Sequence, residues 1–247
     1  MTAVILAAGV ARRLAPLTDH TQKCLLEVGG RPILAWMLDA LRAVGVRRAL
    51  IVVGHCADQV AALATAAAKA MTVQCVHNPD YQKGSALSLS CARRTIAQEP
   101  TLIMDADVVF PRELLGRLVA SAALNALLID RGFADTGEEV KIYTQGDRVI
   151  ALGKKVVPEA WDGVGEGVGF FKCGSEAGES LVHLLEQVIE GSDGLCEYED
   201  ALHLLVNLQP VRGVDVTGLP WTEVDFAEDL RRAQTDVFPE IARIEGT

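Results

Sequence analysis

The chain has 247 residues, half of them apolar and 23% charged, with 33 acidic side chains against 23 basic ones and a net charge of −10. This is globular composition, which excludes disorder, a collagen-like repeat and a disulfide-held miniprotein. The negative charge repels a polyanion, and no stretch concentrates enough base to reverse it locally, so the balance argues against nucleic acid as a partner.

Ala3 to Ala8 is an apolar run with no basic residue before it, too short for the apolar region of a signal peptide, and it reads as a first strand. Ala49 to Val53, Val73 to Val76 and Thr101 to Met104 follow, each bounded by turn residues or charge, and all four read as strands buried on both faces. Between them, Pro32 to Val44, Ala57 to Ala70 and Ser85 to Ala97 have helical length and spacing. The alternation predicts an α/β fold, a doubly wound, Rossmann-like and mostly parallel sheet with helices on both faces. From Asn125 the character changes. Ala126 to Ile129 and Val140 to Tyr143 read as strands, Gly146-Asp147 as a hairpin turn and Val149 to Leu152 as the returning strand, which together predict a small antiparallel insertion. Helices are expected over Ser175 to Glu190 and Glu197 to Leu208, a strand over Val211 to Val216 and a last helix over Ala227 to Ala233.

No proline- or serine-rich linker interrupts this order, so one domain is expected over residues 1–247. No stretch reaches the 18 apolar residues of a membrane-spanning helix. The six cysteines never fall within three positions of one another, which leaves no Cys-x-x-Cys pair. The expectation is a soluble cytoplasmic protein with reduced thiols and no membrane partner, and a homodimer is compatible with it.

The residues able to carry chemistry begin at the first strand's end. Leu6-Ala7-Ala8-Gly9 leads into a loop with Arg12, Arg13, Pro16-Leu17-Thr18 and then Lys23. Small residues after the first strand of a parallel sheet let backbone amides approach a phosphate, and Arg and Lys supply neutralising charge. The same composition also describes a turn with a solvated basic edge. It is neither a Walker loop nor a Gly-x-Gly-x-x-Gly fingerprint. Asp105 and Asp107 end the fourth strand two positions apart, so both can face the carboxyl edge of the sheet, where ligands of open α/β sheets bind; alternatively they cap the helix opening at Pro111. Asp225, closing Trp221-Thr222-Glu223-Val224-Asp225, stands where a helix N-cap would, and Gly84-Ser85 opens a helix in the manner of a cap. Gly163 to Phe171, if extended, places four glycines on one face and Val164, Glu166, Val168 and Phe170 on the other. That suits either a bare face for a ligand or neighbouring backbone, or a twisted, bulged strand. The histidines lack ligand spacing and no Gly-x-Ser-x-Gly elbow occurs, so zinc and serine-hydrolase chemistry have no support.

The run from Leu6 to Thr18, with Lys23 beyond it, resembles the nucleotidyltransferase signature Leu-Ala-Ala-Gly-x-Gly-x-Arg-Leu-x-Pro-Leu-Thr followed by Pro-Lys. The resemblance in strand and motif order extends to about Asp236. Two positions depart from it: Ala11 replaces the second glycine and Gln22 the proline before the lysine. Alanine serves there only if its backbone avoids the left-handed region that glycine tolerates. The resemblance implies that Arg13 and Lys23 hold the triphosphate, that Leu6, Ala7, Ala8, Gly9 and Asp105 border the nucleotide, and that Gly84 and Ser85 lie beside the base and ribose. It further implies that Asp107 and Asp225 hold a catalytic Mg²⁺, so that Lys23, Arg13, Asp107 and Asp225 form the catalytic set. Magnesium, which takes few carboxylates plus substrate phosphate oxygens, suits two aspartates.

Within the family, the Gly84-Ser85-Ala86-Leu87 segment, the run Cys196 to Leu202 and the closing Trp221 to Asp225 look like the cytidylyltransferases for phosphocholine and 2-aminoethylphosphonate. This implies CTP as co-substrate, a small phosphate or phosphonate acceptor, and pyrophosphate as leaving group. Residues 1–122 would then be the nucleotide-binding half and 123–236 the half holding the acceptor and the second metal ligand. Lys141 and Lys154 are candidates to meet an acceptor phosphate, and Glu166 is a further candidate at the acceptor. Tyr143, Trp161, Tyr198 and Trp221 are candidates for an aromatic wall around a cationic head group, or for core. The alternatives are an inositol-phosphate or sugar-1-phosphate nucleotidyltransferase, and a non-catalytic nucleotide sensor.

Overall fold

A computed structural model describes residues 1–246. Its strands are β1 (Thr2–Ala7), β2 (Glu27–Val28), β3 (Arg31–Pro32), β4 (Arg48–Val53), β5 (Thr72–His77), β6 (Thr101–Asp105), β7 (Val108–Val109), β8 (Ala126–Asp130), β9 (Lys141–Gln145), β10 (Arg148–Gly153), β11 (Gly163–Cys173), β12 (Arg212–Asp215) and β13 (Thr222–Glu223). The helices are α1 (Ile33–Ala43), α2 (Ala57–Ala67), α3 (Ser85–Ser90), α4 (Arg93–Gln98), α5 (Arg112–Ala120), α6 (Ser175–Gly191), α7 (Tyr198–Leu208), α8 (Ala227–Arg232) and α9 (Phe238–Glu245).

Nine strands form one sheet in the order β5-β4-β1-β6-β11-β8-β12-β10-β9. β1 runs parallel to both β4 and β6, with Ile5 opposite Ile51 on one side and Met104 on the other. Its apolar run is continuous because each face meets a core. Ala3, Ile5 and Ala7 pack with Leu34, Leu38 and Leu114, while Val4 and Ala8 pack with Leu89, Ile96 and Leu202. Helices therefore cover both faces, as the alternation predicts.

The inserted sheet is joined to the first rather than separate from it. β11 lies antiparallel to β6 at its far end and to β9 at its near end, and is antiparallel to β8 as well, while β12 is parallel to β8. β9 and β10 form the expected hairpin. The register of β11 against β8 shifts between Gly167 and Phe171, where Gly169 takes φ +78°, so the glycine-rich segment is a bulged strand.

Three expectations fail in instructive ways. β5 is not buried on both faces: it is the sheet's edge, and Thr72, Gln74, Cys75 and His77 are exposed because only β4 flanks it. The helix expected over Ser85 to Ala97 breaks at Cys91-Ala92 into α3 and α4, and α4 packs on α6. The chain also continues helical past Ala233, through a π turn over Ala233–Val237 and into α9. Pro239 looks like a stop signal, yet it occupies the first turn of α9, where a missing N–H leaves nothing unpaired. Phe238 anchors that helix on Trp36, with ring centroids 5.1 Å apart. Among the described residues no helix is long and apolar enough to cross a membrane.

Candidate active site

The loop after β1 is shaped by a residue in a conformation that the sequence argues against. Ala11 adopts the left-handed region, with φ 52° and ψ 48°, at a cost of about 1–2 kcal/mol for a residue with a Cβ. Its carbonyl is held twice, by Leu14 N–H at 3.0 Å and by the Thr18 hydroxyl at 2.9 Å. Loop closure thus overrides the local preference. The Ala8 carbonyl is held by His55 N–H at 2.9 Å. The 3₁₀ turn Arg12–Leu14 that follows sends Arg13 across the site to Asp225 (2.6 Å) and Glu138 (3.3 Å).

A second 3₁₀ turn, Lys23–Leu25, carries Lys23. Its ammonium lies between the carboxylates of Asp107 and Asp225, the latter at 2.6 Å. These two aspartates come together because β7, just after Asp107, pairs with β13, just before Asp225: Glu223 lies opposite Val108, and Val224 N–H donates to the Asp107 carbonyl at 3.1 Å. That short ladder also brings in Glu223, which sequence reasoning missed. Glu223 precedes Asp225 by two positions in an extended segment, so the same-face rule applied to Asp105 and Asp107 would have found it.

Oxygens of Asp107, Glu223 and Asp225 lie within 4.8 Å of one another. Asp107 Oδ1 is buried with no hydrogen-bond partner, an orphaned acceptor aimed at a missing donor or cation. Three oxygen ligands of this kind suit a hard divalent cation. The capping alternatives do not hold. Pro111 stands at the N-cap of α5 with no side-chain bond, and at α8 the Asp229 carboxylate, not Asp225, accepts from the N–H groups of Asp225 and Phe226.

Asp105 is held apart from this trio. Its Oδ2 accepts the Tyr198 hydroxyl at 2.8 Å, and a Cβ at Gly169 would lie 2.3 Å from that oxygen, so the bulge in β11 makes room for the pair. Gly84 has a comparable packing role, since a Cβ there would sit 1.9 Å from the Cys196 carbonyl oxygen. The close approach cross-caps two helices: Ser85 N–H donates to Glu197 at 3.0 Å, and Tyr198 N–H donates to the Ser85 hydroxyl at 2.9 Å.

These groups open onto one cleft of about 1340 Å³ at the carboxyl edge of β1 and β6. Leu6, Ala8, Gly9, Arg13, Lys23, Ser85, Asp105, Asp107 and Asp225 line it, together with Lys154, Glu166, Tyr198 and Trp221 from the second half. Three expected residues do not. Ala7 faces the core, Gly84 packs behind Ser85, and Lys141 turns outward to Asp135 at 2.7 Å because alternation along β9 points it away. The expected aromatic wall is also smaller. Tyr143 and Trp161 pack edge to face on each other at 5.3 Å without lining the cleft, which leaves Tyr198 and Trp221, the latter donating its indole N–H to Asp130 at 2.8 Å.

The site's charges shift one another. Burial would lower the Lys23 pKa, but attraction to Asp107 and then Asp225 outweighs it and raises the ammonium above the usual lysine range. Desolvation opposes ionisation of Asp225, yet Lys23 and Arg13 hold it below the usual carboxylate range. Glu223 opens to the cleft, but desolvation by the walls and repulsion from Asp107 and Asp225 push it up to about 8. Desolvation, then Asp107, holds Asp105 well above its ordinary value. At the far end, desolvation followed by Glu139 and Asp130 raises Glu166 to about 7.

The MobA-like NTP transferase domain matches residues 3–148 of this chain. The bifunctional IPC transferase and DIPP synthase of Rubrobacter xylanophilus is 30% identical over 237 residues, 94% of this chain and 51% of that protein. The CMP-5'-(3-aminopropyl)phosphonate synthase of Streptomyces rubellomurinus is 30% identical over 240 residues, 94% of this chain and 38% of that protein. The chain thus spans about half or less of these two relatives. Among solved structures, the inositol-1-phosphate CTP transferase from T. maritima superposes with a TM-score of 0.80 at 19% identity, covering 99% of this chain and 96% of that one. The CTP:phosphocholine cytidylyltransferase from Streptococcus pneumoniae superposes at 0.73 with 20% identity, covering 94% and 97%.

Proposed function

The chain belongs to the MobA-like NTP transferase domain family, and from that premise we propose that it is a Mg²⁺-dependent cytidylyltransferase carrying CMP from CTP to a small acceptor that bears both a phosphate or phosphonate and an amine. The observation that carries this is the convergence of Lys23, Arg13, Asp107, Asp225 and Glu223 beside the Gly9 loop, at the edge of the sheet. The names of several relatives, a 2-aminoethylphosphonate cytidylyltransferase and a CMP-5'-(3-aminopropyl)phosphonate synthase among them, support CTP as the donor.

In the reaction, an acceptor oxygen forms a bond to the α-phosphorus of CTP as the bond from that phosphorus to the bridging oxygen breaks, and pyrophosphate leaves with the electron pair. A phosphate with second pKa about 6 is already mostly dianionic at pH 7, so no side chain has to remove a proton. What the site must do is overcome repulsion between anions. Arg13 and Lys23 are fixed cations for charge growing on the α-phosphate and pyrophosphate, and the walls hold attack in line. Asp107 and Asp225, with Glu223 beside them, would hold a magnesium ion, which would supply Lewis-acid relief of the same charge. Residues 1–122 serve the nucleotide in this scheme, and 123–236 provide Asp225 and the acceptor end.

The acceptor end favours a cation. Glu166, Asp130, Glu138 and Glu139 line it against Lys154 and Lys155, and a carboxyl raised to about 7 by burial, and then by Glu139 and Asp130, gains from an ammonium beside it. Trp221 adds a ring face, worth about 0.5–2 kcal/mol to such a group. A second reading, inositol phosphate as acceptor, is favoured by the IPC transferase relatives. Pyrophosphate release, measured for four nucleoside triphosphates against phosphocholine, 2-aminoethylphosphonate, inositol-1-phosphate and glucose-1-phosphate, separates them. The proposal expects CTP with an amine acceptor. A tenfold preference in kcat/KM for inositol phosphate selects the second reading, and CTP binding without turnover on any acceptor would indicate a sensor.

A further inference from the structure

We propose that Gln22 is a positioning residue for Lys23, its side-chain amide tying the turn that carries the lysine to the first phosphate-facing loop. Gln22 is the position at which the chain departs from the Pro-Lys pair of the family signature. The residue is only 4% exposed and borders the cleft. Its Oε1 accepts the Cys24 N–H at 2.5 Å, and its Nε2 donates to the Gly9 carbonyl at a longer 3.4 Å.

Each end of that amide has a distinct effect. A 3₁₀ turn begins with N–H groups that have no partner inside it, and Gln22 satisfies that of Cys24, which fixes the turn's first residue and hence the direction in which the Lys23 stem leaves the backbone. The four-carbon stem then reaches both Asp107 and Asp225. The other end holds the Gly9 carbonyl, an oxygen that repels an anion if turned toward one. One buried side chain thereby couples the lysine to the loop expected to receive phosphate.

The backbone at Gln22 has φ −87° and ψ 145°, within the polyproline region, and among the described residues its own N–H donates to no protein acceptor. Proline therefore fits this position without breaking a backbone bond, and stiffens the approach to Lys23 by ring closure where glutamine does so by the two hydrogen bonds of its side chain. An alanine in the same place would do neither.

The inference rests on the assignment of Lys23 to the triphosphate. Its test is CTP affinity by titration calorimetry in the presence of Mg²⁺, which needs no acceptor, with melting temperature followed in parallel. Gln22→Ala should weaken CTP binding about tenfold, the size of one cap interaction. Lys23→Ala should weaken it more. The double variant should bind no worse than Lys23→Ala alone, since a residue acting through the lysine has nothing left to position. Gln22→Pro should bind within about threefold of the parent. Additive losses in the double variant, or unchanged affinity in Gln22→Ala, would overturn the inference while leaving the role of Lys23 intact. Unchanged affinity in Lys23→Ala, or no CTP binding by the parent, would overturn both. If Gln22→Ala does not fold, Gln22→Met decides, because it keeps the length of the side chain and loses both hydrogen bonds: a loss of about tenfold supports the positioning role, and near-parental affinity refutes it.

Discussion

Lys23 and Asp225 are 202 residues apart in sequence, and their Nζ and Oδ1 atoms are 2.6 Å apart in space. The same ammonium also meets Asp107. Two cations, Lys23 and Arg13, thus face two aspartates, with the carboxyl of Glu223 raised to about 8 beside them.

Lys23→Ala should lower turnover by at least about a hundredfold, the usual scale for removing one preorganised charge from a developing anion. Because Lys23 is largely buried and counterbalances two aspartates, its loss should also destabilise the metal-free protein by about 3 kcal/mol, as breaking a buried pair does. Adding Mg²⁺ should restore most of the melting temperature. A variant as stable as the parent without metal, and indifferent to Mg²⁺, would show that the carboxylates do not act as one cluster.

Asp107→Asn and Asp225→Asn should each abolish Mg²⁺-dependent turnover, and the double variant should be little worse than either, because groups in one clamp are not additive. Glu223→Gln should weaken Mn²⁺ binding, read by electron paramagnetic resonance, by about tenfold while sparing the fold. Equal Mn²⁺ affinity with and without Glu223 would remove it from the ligand set.

Glu166 gives a pH signature. Its carboxyl titrates near 4.5 in an unfolded chain and is raised to about 7 here, so the folded protein binds more protons in that window. Stability from this group is therefore greatest below about pH 4.5, falls as pH rises, and levels off above about 7. Glu166→Gln should stabilise the protein at about pH 8, by about 1 kcal/mol once water's screening of a partly open carboxylate is allowed for, and should have no effect at about pH 4. Thermal melts at the two pH values check this, and equal effects at both would refute it. The same variant should lose part of any preference for phosphocholine over inositol phosphate.

Ala11→Gly should raise stability by about 0.5–1 kcal/mol, because relief of the left-handed alanine exceeds the greater freedom of glycine in the unfolded chain. Chemical denaturation would show the gain as a higher midpoint, and a lower midpoint would mean that the two bonds to the Ala11 carbonyl leave no strain to relieve.

What the sequence revealed tracks how strongly physics marks a residue locally. β1, β4 and β6 are buried on both faces, and that writes unbroken apolar runs. Asp107 lies at a strand end that a spacing argument reaches, and Lys23 stands where the resemblance to a family signature marks it. β5 has a similar apolar run, but its edge position depends on what fails to pack beside it, and no local residue records that. Glu223 was within reach of the same spacing rule, but its meeting with Asp107 was not, because β13 is two residues long and pairs only with the equally short β7. The pairing of Tyr143 with Trp161 joins β9 to the loop before β11, whereas the direction of Lys141 along β9 and the left-handed Ala11, held by Leu14 and Thr18, are local features that depend on how the strand and loop close.

The placement of β11 between β6 and β8 bears on how the protein can be divided. A chain ending at residue 122 would leave the β6 edge uncovered, with backbone donors and acceptors unpaired along Thr101 to Met104 and with Leu102, Ile103 and Met104 losing the neighbours that β11 supplies. Such an edge is a template for association with copies of itself. The fragment should aggregate when expressed alone and become dispersed when residues 123–246 are supplied in trans, so that residues 1–122 would draw on the later ones for solubility as well as for Asp225.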